Sequence, residues 1–217
     1  MAPYDRIIAT GASATIPAVW LEQLAVGGIL IGSLSGRLTT ATPLYRLVKH
    51  TDGSVAGAFL PSPAFFMTLH EHEQPVWSPR NDTFYESLPV IEQEETDLNL
   101  LALLRDASFA LFVEQHMPGV YAHLYIPRPN KSAAIVRGTR LFLPGHTMLT
   151  CTPSSLANQS WQIEVRGSVP LWSKLLEIHH IWVQQGKPDI SWYHITVEKG
   201  SHHLQLTENE EDQPRPL

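Results

Sequence analysis

The chain has 217 residues, long enough for one or two domains with a hydrophobic core, and its 43% apolar content is ordinary for a globular protein. A formal net charge of -6 with no lysine and arginine stripe argues against nucleic acid, and no apolar run is long enough to span a bilayer. The lone cysteine, Cys151, excludes an internal disulfide and the first residues hold no signal-peptide stretch, so a soluble, cytoplasmic protein is expected.

Arg6-Ile7-Ile8-Ala9-Thr10 is a short apolar run followed at once by Gly11-Ala12-Ser13, the pattern of a strand buried in a parallel sheet. Thr15-Ile16-Pro17 predicts a helix start, with Leu21 and Leu24 on its apolar side. Gly27-Gly28 is expected to end that helix, and Ile29-Leu30-Ile31 to form the next buried strand. The result is a strand-helix-strand unit, the building block of a doubly wound sheet. A central strand needs partners on both sides, so residues 6–10 are expected to present an edge open to pairing or self-association.

Leu44 to Lys49 alternates like a half-buried strand, Thr51-Asp52-Gly53-Ser54 is a turn, and residues 55–60 complete a hairpin. The proline-bearing stretch 75–89 marks a boundary, and the domain break is expected near residue 80. Beyond it, 94–115 contains a helical stretch with Leu98, Leu101, Leu104 and Phe109 on its buried side, widened by Leu100 and Leu103. Strands are expected at 119–126, 133–136 and 161–166. A helix begins after Ser168, read as its capping residue, with Pro170 in the first turn and Leu171, Leu175 and Trp182, with the adjacent Trp172, Leu176 and Val183, in its apolar stripe. Gly186-Lys187-Pro188 stops it, and two strands follow at 192–197 and 202–206. The acidic, proline-bearing residues 208–217 read as a disordered tail.

Few side chains suggest a reactive centre. His70-Glu71-His72-Glu73 would place two histidines on one face of a strand, but no third ligand is fixed by spacing, and an exposed, charged strand end is the simpler reading. His179-His180 and His202-His203 are adjacent pairs whose side chains diverge. Cys151 has no base near it in sequence and reads as a small buried hydrophobe. No catalytic residue and no metal site is assigned.

A more specific signal is the run Ala2-Pro3-Tyr4-Asp5-Arg6-Ile7-Ile8-Ala9-Thr10-Gly11-Ala12-Ser13, followed in order and spacing by Ile16-Pro17, Leu21, Gln23-Leu24, Gly27-Gly28 and Leu30. It resembles the strand, loop and following segment of protein-L-isoaspartate (D-aspartate) O-methyltransferases. The strand from Tyr45 to Val48, the Asp52-Gly53 turn and the stretch from Phe59 to Met67 are similar to that family's closing hairpin. The resemblance covers about the first third of the chain, to near Thr68. It implies an α/β fold: the carboxyl-terminal part of a Rossmann-like S-adenosylmethionine methyltransferase sheet over 1–80, followed by a second α+β domain over 81–207. That second part is similar to the extension of actinobacterial relatives.

The resemblance also implies roles. Thr10, Gly11, Ala12 and Ser13 correspond to the family's loop beside the substrate carboxylate, with Gly11 and Ser13 standing where alanines are common. Thr68 and Gln74 correspond to positions near the bound cofactor, S-adenosylmethionine. The implied partner is a protein or peptide carboxylate. The family's glycine-rich cofactor loop has no counterpart here, so Met1 is expected to be a truncation or a start mis-assigned inside a longer gene, and the chain alone to be inactive and not to bind the cofactor. Two alternatives stand beside this reading: part of a peptide-maturation methyltransferase acting on aspartate, and a non-catalytic binding module that pairs with another chain.

Overall fold

The computed structural model describes residues 2–38, 42–69, 82–125, 138–154, 160–198 and 201–207. They fall into two compact units. One comprises Met1–Gly36, Thr40–Gln74 and Pro188–Leu217; the other comprises Arg37–Thr39 and Pro75–Lys187.

The first unit opens with strand β1 (Tyr4–Ser13), a short helix α1 (Ala18–Gln23) and strand β2 (Leu24–Leu34). β2 runs parallel to β1, with Ile7 opposite Leu30 and Ile8 opposite Ile31, so the strand-helix-strand unit is present. Gly27-Gly28 does not end the helix. Both glycines lie inside β2, where the register advances from Tyr4 opposite Leu24 to Arg6 opposite Ile29. The surplus residues on β2 form a bulge, and Gly27 supplies the positive φ of 76° there. No side chain caps the start of α1; at its other end the Lys49 ammonium donates to the carbonyls of Leu21 (2.7 Å) and Leu24 (2.9 Å).

Strands β3 (Leu44–Lys49) and β4 (Val55–Phe59) form the expected hairpin beside β2, with Leu30 opposite Leu47 and Leu47 opposite Gly57. In its turn, the Asp52 carboxylate accepts from the Ser54 N–H (2.9 Å) and hydroxyl (2.7 Å), and Gly53 has φ 85°. These two bonds hold the Asp52 carboxyl below its ordinary pKa.

The second unit begins, within the described residues, with helix α2 (Asp82–Glu86) and strand β5 (Val90–Thr96). Residues 94–96 were expected to be helical and are strand. The helical stretch that follows is two helices, α3 (Leu100–Arg105) and α4 (Ala107–His116). Asp106 divides them: its backbone is extended and its carboxylate accepts from the N–H groups of Ser108 (2.9 Å) and Phe109 (3.2 Å), giving α4 its own N-cap. Strands β6 (Tyr121–Tyr125), β7 (Gly138–Leu143), β8 (Thr147–Pro153) and β9 (Trp161–Gly167) complete an antiparallel sheet of order β5-β9-β8-β7-β6. The strands at 138–143 and 147–153 were not foreseen, and the expected strand at 133–136 lies outside the described residues.

Helix α5 (Leu171–Gln184) buries Leu171, Trp172, Leu175 and Trp182 of the expected stripe and adds Ile178, whereas Leu176 is half-buried and Val183 exposed. Its N-cap is Pro170 rather than Ser168. The missing side-chain cap comes from β5, where Glu92 accepts from the N–H groups of Trp172 and Ser173, each at 3.1 Å, and Glu94 accepts from the Trp172 indole. α3 and α5 rest on β7, β8 and β9, so this unit is α+β in arrangement. Glu114 of α4 accepts from the backbone N–H groups of Arg37 (2.6 Å) and Leu38 (3.0 Å). Burial raises the Glu114 pKa, and those two bonds oppose the rise.

The chain then returns to the first unit. Strands β10 (Tyr193–Glu198) and β11 (Ser201–Leu206) extend the first sheet, whose order is β1-β2-β3-β4-β10-β11. Ile195 sits opposite Gly57, and Leu204 opposite Ile195. This corrects the expected division at about residue 80 with everything to 207 in the extension: apart from Arg37–Thr39, the second unit is inserted between β4 and β10. The alternation in 192–206 reveals strands but not their partner, and the free partner was the outer edge of β4. The tail 208–217 lies outside the described residues. No helix among the described residues is long and apolar enough to cross a membrane.

Candidate functional site

β1 pairs along one side only. From Tyr4 to Ile8 its other side is open among the described residues, and Ile8 is 70% exposed. Toward its carboxyl end the strand sinks into the protein: Thr10 is exposed, Gly11 half-buried, and Ala12 and Ser13 buried. Here the open side acquires a partner. The Ala12 N–H donates to the Met67 carbonyl (3.0 Å), and the Leu69 N–H donates to the Ala12 carbonyl (2.7 Å), a parallel bridge that sets Thr68 beside Ala12.

The structure therefore brings together two sets of positions that are more than fifty residues apart in sequence, the loop Thr10–Ser13 and Thr68. Small residues make the approach feasible. A Cβ on Gly11 would stand 2.6 Å from Leu69 Cδ2, so the Leu69 side chain occupies the space that any larger residue at position 11 would need. Thr68 is exposed at the rim, flanked by Phe65 and Met67 at 78% and 88% exposure. Gln74 lies outside the described residues, as do His70, Glu71, His72 and Glu73.

The site sits at the carboxyl ends of two parallel strands, where open α/β sheets place their ligands. On the β2 side, the Ser35 N–H donates to the Ser13 carbonyl at 2.8 Å and ties the loop to the strand end. Ser13 and Ser33 hydroxyls and the Tyr45 phenol are fully buried here without a hydrogen-bond partner among the described residues. Sequence reasoning missed Leu69 and Tyr45 as parts of this site. The only signal for either was the glycine opposite, Gly11 for Leu69 and Gly32 for Tyr45.

Elsewhere the chemistry is quiet. Cys151 is fully buried, and burial pushes its thiol up to about 11, a group without nucleophilic character at neutral pH. His179 stands edge-on to Phe109 at 5.6 Å; burial, then Lys187 and His180, lowers its pKa. His202 is lowered by burial and by His203. No group of three histidine, cysteine or acidic side chains among the described residues is placed to hold a metal ion.

Residues 1–74 match the family model described as protein-L-isoaspartate(D-aspartate) O-methyltransferase. A protein-L-isoaspartate O-methyltransferase of Ignicoccus hospitalis is 38% identical over 72 residues, 33% of this chain and 33% of that protein. One from Dictyoglomus thermophilum is 49% identical over 51 residues, 24% of this chain and 22% of that protein. The matches thus span a third or less of the curated relatives' length. A solved protein-L-isoaspartate O-methyltransferase covers 94% of this chain and 55% of its own at 17% identity, with a TM-score of 0.39. The segment that holds β1 to β4 and the Ala12–Thr68 bridge, residues 1–74, is thus the part of this chain that is similar to the protein-L-isoaspartate(D-aspartate) O-methyltransferase family.

Proposed function

We propose that this chain is part of a cytoplasmic, S-adenosylmethionine-dependent protein carboxyl O-methyltransferase of the isoaspartate repair type, and that it carries the substrate side of the site. The observation that supports this most is the bridge joining Ala12 to Thr68 at the carboxyl ends of β1 and β2, within the segment matched to the family. A carboxylate is a competent nucleophile at neutral pH, so the protein's task is to place it in line with the methyl donor. Thr10 to Ser13 suit that task because their small side chains let a peptide backbone come close to the strand end.

The residues present do not by themselves fit the cofactor. Neither 8–13 nor 65–69 contains a carboxylate to hold a ribose, and among the described residues no glycine-rich loop follows a strand. The rest of a complete enzyme supplies those contacts in this reading, as the short span of the relatives covered suggests. An isoaspartyl protein and an aspartate in a maturing peptide offer the same carboxylate chemistry, and the repair substrate is the one named for the relatives. Calorimetric titration of the 217-residue chain with S-adenosylhomocysteine is expected to give no binding heat. Micromolar affinity would overturn the assignment of this chain to the substrate side alone.

The open side of β1 favours a second reading, a binding module that pairs with another chain through this edge. If adding the remainder of a family member restores neither cofactor binding nor methyl transfer, this second reading replaces the first.

A further inference from the structure

We infer that Tyr45 is a positioning residue for the Thr10–Ser13 loop: its phenol, laid across Gly32 of β2, reaches the Ser13 hydroxyl at the end of β1. Tyr45 lies on β3 opposite Gly32, and Ser13 on β1 is opposite Leu34, two residues further along β2. The phenol thus spans from the third strand across the second. A Cβ on residue 32 would stand 2.6 Å from Tyr45 Cζ and would collide with the hydroxyl oxygen, so only glycine leaves the passage open.

Both ends of the contact are fully buried. Burial raises the Tyr45 pKa, and the Ser13 hydroxyl is the one group that opposes that rise. Neither oxygen meets the full geometry of a hydrogen bond with any described group, and buried hydroxyls are seldom left in that condition. A hydrogen bond between the two hydroxyls would satisfy both. Tyr45 has no exposed surface with which to meet a substrate. It acts through Ser13 by fixing where the strand ends and the loop turns.

The meaning of that placement rests on reading Thr10 to Ser13 as a substrate loop, but the contact is testable without any substrate. Amide hydrogen exchange is measured on the full chain and on Tyr45→Phe, Ser13→Ala and the double variant. Loss of one hydrogen bond is expected to speed exchange at Gly11, Ala12 and Ser13 by about three- to tenfold. Exchange in β10 and the thermal midpoint are expected to change little, and the double variant to be no faster than the faster single. A general loosening of the sheet would speed β4 and β10 as well, and would overturn the inference, as would additive effects or an unchanged loop. If Tyr45→Phe does not fold, Ser13→Ala carries the same expectation alone, and unchanged loop exchange there is equally fatal. Cofactor affinity is not read by this experiment, so its failure is distinct from failure of the methyltransferase reading.

Discussion

Glu114 shows how one carboxylate can matter for reasons that its own helix does not reveal. It belongs to α4, yet its partners are the backbone N–H groups of Arg37 and Leu38, 77 and 76 residues away. The donor of buried Leu38 needs an acceptor more than it needs a charge, and the raised pKa says that burial outweighs the bonds in its effect on the ionised form. The folded protein therefore binds this proton more tightly than the unfolded chain. Its contribution to stability is fully present below the ordinary carboxyl pKa and is lost as pH rises through the raised one. Glu114→Gln keeps the oxygen and removes the charge, so it is expected to hold stability at pH 7 within about 1 kcal/mol of the parent. Glu114→Leu leaves the N–H of buried Leu38 unmet, while exposed Arg37 can turn to water, and is expected to cost about 1–3 kcal/mol. Urea unfolding at pH 5 and pH 7 checks both, and the pH difference should shrink in the glutamine variant. Nothing in the sequence around Glu114 announces this role, because spacing along a helix reports its faces and not the distant chain that rests on them.

At the scale of elements, what was legible depended on how local the cause was. The turn at Asp52-Gly53, most of the stripe of α5 and the parallel pairing of β1 with β2 all follow from neighbours in sequence and were readable. The strand identity of β5 was not. Val-Ile-Glu-Gln-Glu-Glu-Thr has the composition of a helix start, but alternation places Glu92 and Glu94 on one side, where both bond the beginning of α5. A tertiary demand for acceptors there overrides local preference. Glu92→Ala is expected to lower stability by about 1–2 kcal/mol, the worth of a lost helix cap, as read by the shift in denaturant midpoint. A change below about 0.5 kcal/mol would mean that solvent caps α5 equally well. The same logic explains the break at Asp106. A single aspartate inside an apolar stripe can face solvent or start a new helix, and periodicity does not decide between them.

For the whole molecule, the decisive fact is that the first sheet is assembled from both ends of the chain. Thr10–Ser13 and Thr68 were each singled out by the resemblance, with separate roles, but that the two meet was not read from the sequence. The insertion was not, since strand partners separated by more than a hundred residues leave no local trace. A fragment of residues 1–80 would present the outer edge of β4 unpaired and lack the buried Tyr193, Ile195 and Val197. It is expected to remain unfolded or aggregate when expressed alone, as judged by circular dichroism and gel filtration. A soluble, cooperatively melting 1–80 fragment would show that β10 and β11 are dispensable additions.

The return of β10 to β4 also sets a timetable for synthesis on the ribosome. At about 5–20 residues per second, the stretch between Phe59 and Tyr193 takes on the order of ten seconds to emerge. For that interval β4 has no second neighbour, while the inserted unit can collapse on its own. β1 to β4 thus emerge before the inserted unit but are completed after it, and their half-built sheet is the species that a chaperone or a stray strand would meet.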